Sequence, residues 1–227
     1  MSKLLSFVFI VMALAACQPT TESGKSAIEK ELEQIGLQSV GEEIPGVEVY
    51  MVYATPYNFM GRVLYDGLDE AYLVPEAMEK LKKANEILRK RRLDLHLVVY
   101  DAARPRSIQQ QMWEVVENTE LQDFVANPNK RGGGPHNYGI AVDVTLVDCT
   151  GHPIPMGSEY DYFGDRARVD LETKLLETGE ITHRELANRQ LLREIMTEAG
   201  WHTISSEWWH FNAMPLSEAS QKLSVIK

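Results

Sequence analysis

Residues 132–147 read GGGPHNYGIAVDVTLV, a glycine-rich loop that leads directly into a segment of alternating apolar residues. From Ile140 to Val144 a β-branched apolar residue recurs at every second position, which is the period of a strand with one face toward a core. The pattern predicts a strand over residues 140–147. Because side chains alternate across a strand, we expect Asp143 on the face opposite those apolar residues.

Helical and strand patterns are mixed along the rest of the chain. Ser26 and Thr182 each begin a capping box with a glutamate three residues later, and each predicts the start of a helix. Helices are predicted over residues 26–37, 75–92, 107–118 and 182–199, and strands over 47–53, 93–101 and 140–147, with a β-rich segment at 201–211. No glycine signature marks a dinucleotide-binding βαβ unit. The expected fold class is therefore α+β, a single domain with helices packed on a mainly antiparallel sheet.

Length and composition are those of an ordinary folded protein, with 227 residues of which 44% are apolar, 25% charged and 8% aromatic. They exclude a disordered, a collagen-like and a disulfide-stapled chain. Lys and Arg number 23 against 33 Asp and Glu, a net charge of −10. Because nucleic-acid binding needs a concentrated basic surface, we expect no nucleic-acid partner.

The first 17 residues, MSKLLSFVFIVMALAAC, have the pattern of a secretory signal: an early lysine precedes an unbroken apolar run. The run is too short to span a membrane comfortably. It ends in Leu-Ala-Ala-Cys, which resembles the lipobox of bacterial lipoproteins, where the signal is cut before a cysteine that carries lipid. A plain secretory signal and a short buried helix are the alternatives.

This N-terminal pattern predicts a signal over residues 1–16, a lipidated Cys17 within a polar tether over 17–25, and a folded domain over 26–227. The lipid on Cys17 would attach the protein to a membrane of the cell envelope. The domain would then face the periplasm or the exterior, and a Gram-negative cell would hold it at the outer membrane. Only Cys149 remains as a free thiol, so no intramolecular disulfide is expected.

Two short motifs carry metal chemistry. A catalytic zinc takes three protein ligands and keeps a fourth position for water, and His136, Asp143 and His210 would supply those three. Glu207, three residues before His210, is the candidate to take a proton from the water. Either motif alone is weak, because most isolated histidines are surface or hydrogen-bonded residues. In a regular strand Glu207 and His210 would point to opposite sides, so a bulge or turn is expected between them.

Together these motifs resemble the zinc D-alanyl-D-alanine dipeptidases of the vancomycin-resistance type, within the wider group of zinc D,D-peptidases. The resemblance covers residues 45–212, nearly the whole predicted domain. The further blocks that carry it, in family order, are Tyr53-Ala54-Thr55 with Asn58-Phe59, Asp101-x-x-Arg104-Pro105, Pro155-Met156-Gly157-Ser158, Asp161 with Phe163, and Asn188-Arg189.

The resemblance implies one Zn²⁺ per chain and a small D-amino-acid dipeptide as substrate, from peptidoglycan metabolism. It implies that Glu207 is the general base and acid, and that Arg104 steadies charge on the scissile carbonyl oxygen. It implies that Asp161 pairs with the free ammonium of the substrate and that Tyr65 lines the pocket. The segment around His136 departs from the family pattern, which usually has serine two residues before this histidine and Ser-Arg-Gly after it. Here Gly134-Pro135 precede the histidine and Asn137-Tyr138-Gly139 follow it.

Two other functions stay open at the level of the sequence. One is a D,D- or L,D-carboxypeptidase that trims longer peptidoglycan peptides; an acid such as Asp161, placed to meet an ammonium near the scissile bond, disfavours it. The other is a non-catalytic lipoprotein that binds the cell wall. Glu207 counts against it, because binding alone does not need a base.

Overall fold

The computed structural model describes residues 24–130 and 132–227. The predicted signal peptide, Cys17 and most of the predicted tether lie outside the described residues. Within these ranges, none of the helices combines the length and apolar character that a membrane crossing requires.

Seven α-helices are distributed along the described chain, and the three long ones begin near the predicted positions. The capping boxes at Ser26 and Thr182 are both formed, and Pro75 occupies the first turn of its helix, where its missing N–H costs no hydrogen bond. The helices are α1 (Ala27–Gln34), α2 (Val40–Glu43), α3 (Pro75–Arg91), α4 (Arg106–Val116), α5 (Glu172–Glu177), α6 (His183–Glu198) and α7 (Leu216–Lys222).

Within the described residues, seven strands form two sheets. They are β1 (Gln38–Ser39), β2 (Glu48–Val49), β3 (Tyr72–Leu73), β4 (Leu95–Asp101), β5 (Ala141–Asp148), β6 (His202–Thr203) and β7 (His210–Asn212). The larger sheet has the order β2-β4-β5-β7-β6, in which only the β2–β4 pair is parallel, and β1 pairs with β3 in a small antiparallel sheet. The α+β class with a mainly antiparallel sheet is therefore confirmed.

Strand β5 is the centre of the larger sheet and is buried along both faces. Helix α3 contacts β4 and α6, so one face of the sheet is covered by these two helices. The buried side of α3 carries small and large apolar residues at helical spacing: Ala77, Met78, Leu81, Ala84, Ile87 and Leu88. Truncation of such a fully buried leucine to alanine costs about 2–5 kcal/mol of stability.

Two predicted strand segments are shorter than expected. In the first, only Glu48–Val49 forms a strand, and the chain then enters a 3-10 turn at Val52–Ala54. The backbone N–H groups of Ala54 and Thr55 bond back to Met51 and Val52 rather than across to β4. In the second, residues 204–209 separate β6 from β7 as a loop. In both segments the chain leaves the sheet for a turn or loop although the residue pattern favours a strand, because tertiary packing overrides local β propensity.

Candidate active site

Three side chains with metal-ligand chemistry converge beside β5. Asp143 lies within β5 and faces His210, the first residue of β7, directly across the antiparallel ladder. His136 lies in a 3-10 turn, Pro135–Tyr138, just before β5. All three side chains are buried, and one ligand atom of each lies within 4.8 Å of the others. The structure thus brings together the three residues that the motifs predicted as ligands.

The distances between these atoms suit a small cation. Nε2 of His136 lies 3.1 Å from Nδ1 of His210. Oδ1 of Asp143 lies 2.9 Å from Nδ1 of His210 and 3.3 Å from Nε2 of His136. Ligand atoms at about 2.0–2.1 Å from a tetrahedral zinc are ~3.3 Å apart, so the three atoms have nearly the required separation.

The hydrogen bonds made by the outer nitrogen of each imidazole determine which nitrogen faces the centre of the site. Nδ1 of His136 donates to the carbonyl of Ala102 at 2.7 Å, and Nε2 of His210 donates to Oδ1 of Asn212 at 2.9 Å. When neither ring carries a second proton, the inner nitrogens present lone pairs to each other and to a carboxylate. Such an arrangement is favourable when a cation lies between the lone pairs, so these residues fit a divalent metal.

The Asp143 carboxyl is held in its ionised form. Burial by itself would raise its pKa, but the charge and hydrogen bonds of His136 and His210 outweigh burial and lower the pKa well below its usual range. Its second oxygen, Oδ2, accepts a hydrogen bond from the Tyr160 hydroxyl at 3.0 Å. An ionised carboxylate is the form that a metal ion binds.

Glu207 stands in the loop between β6 and β7, with Oε2 3.9 Å from Nδ1 of His210. Because residues 204–209 are not a strand, strand alternation does not apply, and both side chains face the same cavity. The expected turn between them is therefore present. Burial raises the pKa of Glu207 to about 7, with a smaller contribution from the Asp143 charge. A carboxyl poised near neutral pH can both accept and return a proton.

Asp161 reaches the cavity from the loop between β5 and α5. Its backbone adopts φ +57°, in the left-handed region where aspartate is among the better-tolerated residues. The Tyr53 hydroxyl donates to Oδ2 of Asp161 at 2.7 Å. Burial raises the pKa of Asp161 to about 7, and the Asp143 charge adds to the rise. Because burial and the nearby negative charge both disfavour the ionised carboxylate, a cationic partner would stabilise it strongly.

The Arg104 guanidinium is fixed by two neighbours. Its Nε donates to Oδ2 of Asp101 at 2.9 Å, Nη2 donates to the same oxygen, and Nη1 donates to Oε1 of Gln109 at 2.9 Å. The group also lies over the Tyr53 ring, 5.2 Å from its centroid. Only some of the five N–H donors are used in this way, so the guanidinium keeps donors for a ligand in the cavity.

Tyr65 has a different position from the one that the resemblance implied. Its hydroxyl donates to Oδ1 of Asp101 at 2.6 Å, and the side chain is 2% exposed. Among the described residues, Tyr65 is not one of those that line the cavity, whereas Tyr53 is. Tyr65 therefore contacts Asp101, the carboxylate that also binds Arg104, instead of contacting the cavity.

Sequence reasoning assigned no role to four residues that the structure places at the site: Tyr53, Gln109, Tyr160 and Asn212. Asn212 is two residues beyond His210, on the same face of β7, and strand period alone could have suggested it. Tyr53 lies within a quoted motif block, yet its contact with Asp161 spans 108 positions of sequence. The contact of Gln109 with Arg104 also depends on packing.

The cavity enclosed by these groups has a volume of about 250 Å³. Phe59, Phe124 and Phe163 form an aromatic wall, with the Phe59 and Phe163 ring centroids 5.0 Å apart. The departure at Gly134 also has a steric explanation: a Cβ atom there would lie 2.8 Å from Cβ of Ala126. The segment that contains Ala126 thus occupies the space that a serine side chain would need.

Comparison with known proteins agrees with this geometry. Residues 33–225 match peptidase family M15, described as D-ala-D-ala dipeptidase. The chain is 31% identical to a D-alanyl-D-alanine dipeptidase of Escherichia coli K12 over 74% of this chain and 79% of that protein. Identity is 28% to the dipeptidase of the same name from Enterococcus faecium, over 78% and 91% of the two chains, and 27% to that from Synechocystis, over 78% and 84%. The chain therefore belongs to the M15 metallopeptidases, in the family described as D-Ala-D-Ala dipeptidases.

Proposed function

We propose that the protein is a zinc-dependent dipeptidase that hydrolyses D-Ala-D-Ala or a related D-amino-acid dipeptide in peptidoglycan metabolism. The observation that carries the proposal is the meeting of His136, Asp143 and His210 in one cavity with Glu207 and Asp161. The dipeptidase names of the relatives support the substrate class.

The polar side chains of the cavity divide the tasks of this reaction among them. His136, Asp143 and His210 would hold one Zn²⁺, which when bound would polarise the peptide carbonyl and lower the pKa of water toward about 7. Asp161, aligned by the Tyr53 hydroxyl, pairs with the substrate ammonium and so sets the distance from the free N-terminus to the scissile bond.

Glu207 moves the proton. It takes one proton from the attacking water as the C–O bond forms at the carbonyl carbon. It then gives that proton to the departing nitrogen as the C–N bond breaks, so the products are two free amino acids. Arg104, held in place by Asp101 and Gln109, stabilises the negative charge that develops on the carbonyl oxygen.

Two measurements test the proposal. The first is metal analysis of the purified domain, for which one zinc per chain is expected. The second compares hydrolysis of D-Ala-D-Ala with hydrolysis of N-acetyl-D-Ala-D-Ala. Acetylation removes the ammonium, so the free dipeptide should be the better substrate. Faster cleavage of the acetylated form would support a carboxypeptidase instead.

We further propose that the domain is attached to the cell envelope by lipid on Cys17 and faces the periplasm or the exterior. The support is the N-terminal sequence pattern. Mass spectrometry of the mature N-terminus, compared between the full chain and a Cys17→Ser variant, tests it. A cut before Cys17 with added lipid mass is expected only in the unsubstituted chain; a mature N-terminus at another position would contradict the proposal.

A further inference from the structure

Tyr160 belongs to none of the roles given so far, yet it touches the candidate metal centre. It lies one residue before Asp161, in the loop between β5 and α5. Its ring packs against three aromatic rings from separate parts of the chain: Tyr53 at 6.3 Å, Tyr100 at 5.2 Å and Trp209 at 5.4 Å between centroids. Tilted and edge-to-face contacts of this kind are the favoured geometry, so the ring is held on several sides.

The two oxygens of Asp143 have different partners as a result. Oδ1 is the oxygen that lies 2.9 Å from Nδ1 of His210 and 3.3 Å from Nε2 of His136. Oδ2 accepts the Tyr160 hydroxyl proton at 3.0 Å. Only Oδ1 is therefore directed toward the point where the two imidazoles meet.

We propose that the Tyr160 hydroxyl is a positioning group that makes Asp143 a one-oxygen metal ligand by holding Oδ2 away from the ion. The inference rests on the proposed zinc function of the site. A carboxylate can bind a metal with one oxygen or with both, and a catalytic zinc needs a coordination position left open for water. The hydrogen bond to Oδ2 favours the one-oxygen mode and so preserves that position.

The role of Tyr160 can be separated from its packing, because the ring makes the packing contacts and the hydroxyl alone contacts Asp143. The ring fills space between β4, the turn at Tyr53 and the loop before β7, and a phenylalanine would fill the same space. Tyr100 offers a matched comparison, because its ring contacts the Tyr160 ring. Among the described residues, no hydrogen-bond partner is found for the Tyr100 hydroxyl. The two tyrosines thus share packing but differ in contact with Asp143.

The experiment compares Tyr160→Phe and Tyr100→Phe in the whole domain, loaded with Co²⁺ in place of zinc. The visible absorption of Co²⁺ weakens as its coordination number rises, so it reports whether Asp143 binds with one oxygen or two. We expect Tyr160→Phe to lose absorption intensity and Tyr100→Phe to keep the unsubstituted spectrum. With zinc, turnover of D-Ala-D-Ala should fall by about 10-fold or more in Tyr160→Phe alone, the size of effect usual for groups that orient a ligand.

Three outcomes would overturn the inference. An unchanged Co²⁺ spectrum in Tyr160→Phe would show that the hydroxyl does not set the coordination. Equal changes in both variants would assign the effect to ring packing. If the Tyr160→Phe protein is unfolded without metal, the hydroxyl is needed for the stability of the fold and not for positioning Asp143. Failure of the unsubstituted protein to bind Co²⁺ or Zn²⁺ is a separate result, since it would contradict the proposed function itself.

Discussion

Asp143 and His210 are 67 positions apart in the sequence, yet they are direct partners across the β5–β7 ladder, with Oδ1 of one 2.9 Å from Nδ1 of the other. Cross-strand neighbours on one face are separated by about 4.5–5.5 Å between Cβ atoms, close enough for two short side chains to share one ion. Asp143 lies on β5, the central strand of the larger sheet, which is buried on both faces. His136 joins it from the turn that leads into the same strand.

Glu207→Gln should abolish most turnover while leaving metal binding intact. The amide cannot accept the proton of the attacking water, so kcat/KM should fall by at least ~10²-fold. Zinc content, measured on the purified variant, should stay at the unsubstituted value because Glu207 is not one of the three ligands. Glu159→Gln is the matched control, since Glu159 is exposed and does not line this cavity. Normal hydrolysis by Glu207→Gln would show that the base is assigned wrongly.

Asp161→Asn should damage recognition of the free N-terminus. The neutral amide cannot form an ion pair with the ammonium, so KM for D-Ala-D-Ala should rise by about 10-fold or more, the cost of a lost hydrogen-bonded charge partner. Hydrolysis of N-acetyl-D-Ala-D-Ala, which has no ammonium, should change far less. Steady-state kinetics on both substrates measure the difference. An equal loss of activity on both substrates would show instead that Asp161 acts in the chemical step or stabilises the fold.

Activity should fall as the pH drops through the pKa values of two carboxyls. Burial raises the pKa of Asp161 to about 7 and that of Glu207 to about 7, and both groups must be ionised to act. A bound divalent cation lowers both values, because its positive charge favours the carboxylate form. The acid limb of kcat/KM should therefore lie at or below neutral pH, and its limiting slope should be one unit smaller in Asp161→Asn. An unchanged slope would mean that Asp161 does not titrate in this range.

Gly157→Ala should destabilise the loop that carries Tyr160 and Asp161. Gly157 has φ +85°, and an added Cβ would lie 2.7 Å from Cγ2 of Ile181. Gly179→Ala is the control, because Gly179 has φ +74° but open space around its Cα. The control should cost about 1–2 kcal/mol of unfolding free energy for backbone strain alone, and Gly157→Ala about 1–3 kcal/mol more for the steric overlap. Denaturant unfolding of both variants measures this, and equal losses would refute the steric explanation.

The loop that contains Gly157 also depends on α6. Asn188 donates to the carbonyl of Pro155 at 2.7 Å, and Arg189 donates to the carbonyl of Met156. Arg189 is 1% exposed, and burial lowers its pKa to about 10. The segments around residues 155–158 and 188–189 are thus two sides of one contact.

Local sequence determined the starts of the long helices and the identity of the metal-ligand candidates. The helices after Ser26 and Thr182 begin where predicted, because a capping box satisfies backbone N–H groups within a few residues of itself. The sequence also identified the candidates for the metal site, because a metal site requires particular residue types. These candidates are His136, Asp143, His210 and Glu207.

Tertiary structure alone decided how long the strands are and which side chains reach the cavity. Strand β2 is short because its own chain enters the 3-10 turn at Val52–Ala54, and β6 is short because residues 204–209 leave the sheet as a loop. Tyr53 faces the cavity while Tyr65 contacts Asp101, although the sequence resemblance indicated Tyr65 as the pocket residue and gave Tyr53 no role. The hydroxyl of Tyr160 meets Asp143 only because three aromatic rings from distant segments pack around it. Such contacts depend on the free energy of packing the whole domain, which no local pattern of residues contains.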